Sequence, residues 1–258
     1  MKAKEWFDGR FSEARMARLG AEFENSSPED ILAWAFQAFG KKVVIAWGGG
    51  FEGMALLHMA VGLNPKVRVF VVDTRKLFKE TYQLIRVCEE RYGIRIDRFF
   101  PADKQLRRLA AWHGSRPDLS VREVRTDCCS VRKVMPFLRA IRRERAWITP
   151  ISRYQPGREN ARILSVENER GGIVKICPFV NWTADVFWEY IRRNDVPFNP
   201  MHLDGYPSIG CSPEACTRHT LPGENSRGGR FPGSMDKECG IHIHCDVAPQ
   251  PSPLIRFP

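Results

Sequence analysis

The sequence has no run of about 18 apolar residues, so no helix of it can cross a bilayer. Its opening residues, Met1 to Lys4 and then Glu5, lack the apolar core of an export signal. There is no internal repeat and no low-complexity tract. Acid is in deficit: 30 Asp and Glu face 40 Lys and Arg, leaving +10. That excess favours anionic partners (nucleotides, nucleic acid or acidic proteins) without choosing among them. What is present is ordinary globular material. At 43% apolar and 27% charged over 258 residues, the chain is not disordered as a whole. It is long enough to bury a real core as one domain or a small pair, with no need of disulfide staples. Eight cysteines without an export signal point to a reducing, cytoplasmic setting, where thiols serve metals or catalysis.

Along the chain, residues 1–40 read as a peripheral helical segment. Ser27 and Pro28 open a helix that carries Ile31, Leu32, Ala35, Phe36 and Phe39 at helical spacing and stops at Gly40. Residues 41–204 read as an α/β core. A strand at 41–47 breaks at Gly48-Gly49-Gly50, an apolar helix follows at 54–61, and a second strand at 67–72 ends in Asp73-Thr74. A helix at 76–92 closes on Gly93, and a third strand is expected at 94–100. Strand, glycine turn, helix and strand in this order predict a parallel sheet with right-handed crossovers, with ligands at the C-terminal strand ends. A basic helical run at 131–145, a strand at 146–151 and a helix at 184–193 capped by Thr183 follow. The basic run reads as a solvated helix face rather than an RNA stripe. From Pro197 periodicity fades, and residues 205–258 are expected to belong to the active site.

The cysteines carry the chemistry. Cys128-Cys129 and the Cys211/Cys216 pair form two close sets. Adjacent α-carbons are only ~3.8 Å apart, too close for a disulfide between Cys128 and Cys129. Four thiolates from two distant corners can enclose a metal, and spacing alone leaves zinc and an iron–sulfur cluster both open. Cys239 lies in Lys237-Glu238-Cys239-Gly240-Ile241-His242, where cations that lower a thiol pKa are near in sequence. Locally it reads either as a nucleophile or as an idle surface thiol. Cys88 and Cys177 read as core; Cys245 has no assigned role, and neither do His202 and His219. Asp73 ends a strand and reads as a ribose contact or a cap.

Several segments together resemble the assimilatory sulfonucleotide reductases, most closely the branch that reduces adenosine 5′-phosphosulfate and carries a [4Fe–4S] cluster. The resemblance runs from about Ile31 to His242. It rests on Asp73-Thr74 with Leu77-Phe78 and Glu80-Thr81-Tyr82, on Cys128-Cys129-Ser130-Val131-Arg132-Lys133, and on Val196-Pro197-Phe198-Asn199-Pro200. Further matches are Gly205-Tyr206-Pro207-Ser208-Ile209-Gly210-Cys211, Cys216-Thr217-Arg218, Arg227-Gly228-Gly229-Arg230 and the Cys239 motif. The resemblance implies a doubly wound α/β fold, with a parallel sheet, of the adenine-nucleotide alpha hydrolase type. It implies a [4Fe–4S] cluster on Cys128, Cys129, Cys211 and Cys216, and Cys239 as the nucleophile that forms an S-sulfonate. Substrate contacts are implied at Lys133, Arg227, Arg230 and Arg158, with Gly49, Gly50 and Asp73 at the nucleotide loop and strand end. Thioredoxin or a similar dithiol is the implied reductant; neither a membrane nor nucleic acid is an expected partner.

The sequence departs from that family at identifiable places. Four residues, Ser212 to Ala215, separate the second cysteine pair where the family has two. The loop Trp47-Gly48-Gly49-Gly50-Phe51-Glu52-Gly53 has glycine amides where the family has serine hydroxyls. Arg75 stands for a glycine, and Phe231-Pro232 for tryptophans. These changes leave rival readings in view: a reductase of the 3′-phosphorylated substrate, a nucleotide-activating sulfur transferase acting on nucleic acid, and a non-enzymatic iron–sulfur paralogue.

Overall fold

A computed structural model describes residues 12–115, 117–156, 163–168, 172–212, 216–234 and 241. Six strands form one sheet in the order β3-β2-β1-β4-β6-β5. These are β1 Val43–Trp47, β2 Val69–Val72, β3 Ile96–Phe99, β4 Ala146–Ile148, β5 Val166–Asn168 and β6 Val174–Ile176. All neighbours are parallel except β5, which runs antiparallel to β6. The helices are α1 Glu13–Glu22, α2 Pro28–Phe39, α3 Phe51–Leu63, α4 Lys79–Tyr92, α5 Asp103–His113, α6 Arg122–Cys129, α7 Met135–Ile141 and α8 Ala184–Arg193.

The strands read as near-continuous apolar runs because both sheet faces are covered. Val43, Ile45, Val69, Val71, Ala146 and Ile148 face a core shared with α2, α3 and α8. Their alternate neighbours Val44, Phe70 and Trp147 face the other side, where Phe137, Ala140 and Ile141 of α7 meet them. Fully burying such side chains contributes about 1.5–3 kcal/mol each. Helix α3 is apolar nearly all round, and eight of its thirteen residues are buried, as befits a helix wedged between the sheet and α8.

Local signals set the helix ends. Ser27 Oγ accepts from the Asp30 N–H at 3.1 Å and Pro28 opens α2. Gly93 closes α4 in the left-handed conformation at φ +61°. The expected basic helix at 131–145 is α-helical only over α7: a π-helical turn spans Ser130–Val134, directly after α6, and α7 ends at Ile141. Such turns concentrate at functional sites. Here the turn lies between the cysteine pair and Pro136, whose missing N–H relaxes the α-helical bonding pattern. The chain runs from β1 to β2 and β3 on one side, then returns to β4 on the other flank of β1. The crevice at the C-terminal ends of β1 and β4 is therefore the switch point where open α/β sheets bind ligands.

Candidate active site

A cavity of about 250 Å³ opens at that switch point, lined by Trp47 and Gly50 at the end of β1, Val72 and Thr74 at the end of β2, and Thr149 and Pro150 just beyond β4. The glycine loop leads into it. Gly49 has φ +78°, and a Cβ there would stand 3.1 Å from Thr81 Cγ2, so both conformation and space call for glycine. Gly50 caps α3 without a side chain, which leaves the helix N-terminus dependent on other acceptors. One comes from far along the chain: the Phe51 N–H donates to His202 Nε2 at 3.1 Å. The other ring nitrogen, Nδ1, lies 3.0 Å from the Tyr206 carbonyl. A carbonyl only accepts and an amide N–H only donates, so the proton sits on Nδ1 of a neutral ring. Burial pushes His202 down to about 4, consistent with that neutral form. Sequence reasoning gave His202 no role, and nothing local in its sequence marks one.

Beside this cavity lies a second hollow, lined by Cys128, Cys129, Cys211 and Cys216 together with Arg125 and Arg132. The two cysteine pairs predicted from sequence are thus brought to one place. Lys133 and Cys211 line both hollows. Cys211 is placed by an antiparallel bridge to Leu77, by the Ser212 N–H donating to the Lys76 carbonyl at 2.6 Å, and by a contact with Thr74 Oγ1 at 3.4 Å. Residues 213–215, between Cys211 and Cys216 in sequence, are outside the described ones. The Cys216 carbonyl accepts from the Phe231 N–H at 2.9 Å. Cys211 is held well below the ordinary thiol value by the Cys216 hydrogen bond and by Lys133, while Cys216 is pushed up. Burial raises Cys128. Phe231, 1% exposed with φ +46°, is ringed by cations: Arg125 and Lys133 at 5.5 Å and Arg230 at 5.2 Å from its centroid.

The donor chemistry fits a thiolate-bound metal group. Cys128, Cys211 and Cys216 are buried thiols in no disulfide, and cations surround the set. Among the described residues no group of three or more His, Cys, Asp or Glu is arranged to hold a metal ion. The four cysteines line one hollow of about 10 Å³.

The predicted substrate residues separate by place. Lys133, Arg227, Arg230 and Gly50 line the nucleotide-side cavity. Arg230 is 6% exposed, donates to the Ile209 carbonyl at 2.7 Å, and its Nε has no hydrogen-bond partner. Gly210 makes room for it, since any Cβ there would fall inside the guanidinium. Gly49 shapes the loop from behind. Asp73 is buried; its Oδ1 accepts from the Tyr82 hydroxyl at 2.8 Å and from the Arg75 N–H at 2.9 Å, and it does not line the cavity. Tyr82 is pushed up to about 12, first by burial and then by its bond to Asp73. Arg158 and Cys239 lie outside the described residues. Gln155 lines the cavity and donates to Glu52 Oε1 at 3.0 Å, whereas Arg153 is spent on a bidentate pair with Glu24. No helix among the described residues is long and apolar enough to cross a membrane.

Fold and site together define a nucleotide-binding α/β protein of the adenine-nucleotide alpha hydrolase type. Residues 42–218 match the phosphoadenosine phosphosulfate reductase domain. The chain is 36% identical over 228 residues to the adenosine 5′-phosphosulfate reductase of Bacillus mycoides, covering 86% of this chain and 93% of that one. The Bacillus cereus protein of the same name is 35% identical over 237 residues, covering 89% and 96%. A phosphoadenylyl-sulfate reductase from Candida auris, solved as a phosphate complex, superposes with a TM-score of 0.65 at 25% identity over 78% of this chain and 96% of that one. FMN adenylyltransferase of Candida glabrata shares the fold alone, with a TM-score of 0.52 at 13% identity over 78% of this chain and 70% of that one. The chain belongs to the phosphoadenosine phosphosulfate reductase domain family, a family of enzymes.

Proposed function

We propose that the chain reduces adenosine 5′-phosphosulfate to sulfite and AMP, with a protein dithiol such as thioredoxin as the electron source. The observation that carries this reading is the shared wall: Lys133 and Cys211 stand between a glycine-loop cavity and a four-cysteine hollow. In it the glycine loop and the N-terminus of α3 receive the nucleotide phosphate. Lys133, Arg227 and Arg230 offset the charge of the sulfate, and the unpartnered Nε of Arg230 is one donor available to an anion. The names of the Bacillus relatives favour the substrate without a 3′-phosphate.

Cys239 is the nucleophile in this reading. Its thiolate attacks the sulfate sulfur, an S–S bond forms, the bond from sulfur to the bridging phosphate oxygen breaks, and AMP departs with that electron pair. One thiolate of the reductant then attacks the Cys239 sulfur and expels sulfite. Its second thiol closes a disulfide, so the dithiol supplies both electrons. Cys128, Cys129, Cys211 and Cys216 would hold a [4Fe–4S] cluster. When bound, that group would tie the two cysteine pairs together and so order the wall beside the sulfate. Lys133, buried in the wall, carries the positive charge that stands between the thiolates and the sulfate.

The test uses radiosulfur-labelled adenosine 5′-phosphosulfate and protein purified without oxygen. Without reductant, label stays on the protein in a non-reducing gel, leaves on addition of thioredoxin, and is absent from Cys239→Ser. An unlabelled wild-type protein refutes the activity. A colourless, zinc-loaded preparation refutes the cluster alone.

A further inference from the structure

Trp47 ends β1 and is 3% exposed, yet its Nε1–H has no hydrogen-bond partner. An indole nitrogen only donates, and a buried donor without an acceptor is costly, so such an atom calls for an explanation. The position of the ring supplies one. Trp47 lies beneath the glycine loop and lines the same cavity as Gly48, Gly50 and Gly53. A Cβ on Gly49 would meet the benzo edge of the indole, 3.5 Å from Cη2. A Cβ on Gly53 would meet the pyrrole edge, 3.5 Å from Cδ1 and 3.7 Å from Nε1, with the Gly48 nitrogen also 3.7 Å away. The indole N–H and the loop amide of Gly48 therefore flank one point at the mouth of α3. The missing side chain of Gly53 leaves that point open. Residues 48–53 contain no serine or threonine, so the loop offers no hydroxyl donor of its own.

We propose that Trp47 is a ligand-binding residue whose Nε1–H donates to a phosphate oxygen of the nucleotide held at the glycine loop. The orphaned donor then finds its acceptor only in the complex, and the indole does the work of a loop hydroxyl. The three features fit one another: a large ring under the loop, no side chain on Gly53 beside its pyrrole edge, and an unpartnered buried donor next to the N-terminus of a helix. This inference rests on the nucleotide reading above and adds to it the atom that grips the phosphate.

The test is titration of the ¹⁵N-labelled full chain, prepared without oxygen, with AMP and separately with adenosine. The Trp47 indole resonance is assigned by its nuclear Overhauser contact to the Gly53 amide. It moves on AMP binding and stays in place with adenosine, which lacks the phosphate. Trp47→Phe keeps an aromatic floor and loses the donor, and its Kd for AMP rises about tenfold, the size of one hydrogen bond to a charged acceptor. AMP binding with an unmoved Trp47 resonance overturns the proposal and leaves the nucleotide site standing. An unchanged Kd in folded Trp47→Phe overturns it equally. Failure of the wild-type chain to bind AMP at all overturns the nucleotide reading itself. The wild-type titration decides even if the variant fails to fold.

Discussion

His202 ties the start of α3 to the segment that leads into Cys211, and it does so only while uncharged. Protonating Nε2 would set a proton against the Phe51 N–H and remove the acceptor from that amide. In the unfolded chain the imidazole takes its proton at the ordinary value of 6.5, whereas burial in the folded chain holds it down to about 4. Above 6.5 both states are neutral and the folded state has its full stability. As pH falls between those values, the unfolded state binds the proton and the folded state does not. Stability therefore drops with pH across that window and the loss is complete near pH 4. At about 1.4 kcal/mol for each pH unit, the gap amounts to about 3 kcal/mol. Other titrating groups share the window, so the measurement is a difference. Urea unfolding of wild type and His202→Gln would be followed from pH 7.5 to 4, since Gln keeps an acceptor for the Phe51 N–H but never charges. The wild-type curve falls more steeply, and the variant gains about 3 kcal/mol relative to it at the acid end. Parallel curves would refute the neutral, buried imidazole.

Three further outcomes follow from packing. Gly210→Ala drives the guanidinium of Arg230 off its place, breaking its bond to the Ile209 carbonyl and its stacking on Phe231; kcat/KM for the sulfonucleotide falls at least tenfold, and wild-type turnover in this variant would contradict the assigned packing. Gly49→Ala forces a side chain to φ +78° against Thr81 and costs about 1–2 kcal/mol, read as a lower Tm and weaker AMP affinity. Tyr82→Phe leaves Asp73 without its hydroxyl donor and costs about 1.5–3 kcal/mol in urea unfolding at pH 7; a loss below about 0.5 kcal/mol would mean that the bond is not made.

The strands β1, β2 and β4 could be read directly, because runs such as Val43-Val44-Ile45 are bounded by glycine, proline or a polar turn. The expected strand at 94–100 forms only over Ile96–Phe99, at a sheet edge where Asp97 and Arg98 face solvent. β5 and β6, three residues each, gave no periodic signal, and the antiparallel edge they make went unseen. The π turn at the start of the basic run was also invisible, since charge spacing reports a solvated face and not the bonding of the backbone. For the site, the cysteine pairs and the Lys133, Arg227 and Arg230 set were visible in sequence because their motifs are dense. Asp73 had two readings, a ribose contact or a helix cap; it makes an Asx turn, accepting from an N–H two residues on, and the N-cap of α4 is Phe78. The roles of the His202 ring and of the Trp47 indole N–H could not be read. Their polar atoms are explained by partners 151 residues away or by a cavity, neither of which leaves a local trace.

Because one ammonium and one sulfur belong to both hollows, the partition has no spare parts. Any change that loosens Lys133 for the sake of the thiols also loosens it toward whatever the glycine loop holds. The two compartments are therefore bound to drift together over evolutionary time, and a variant that tunes one alone must do so from a residue outside that wall.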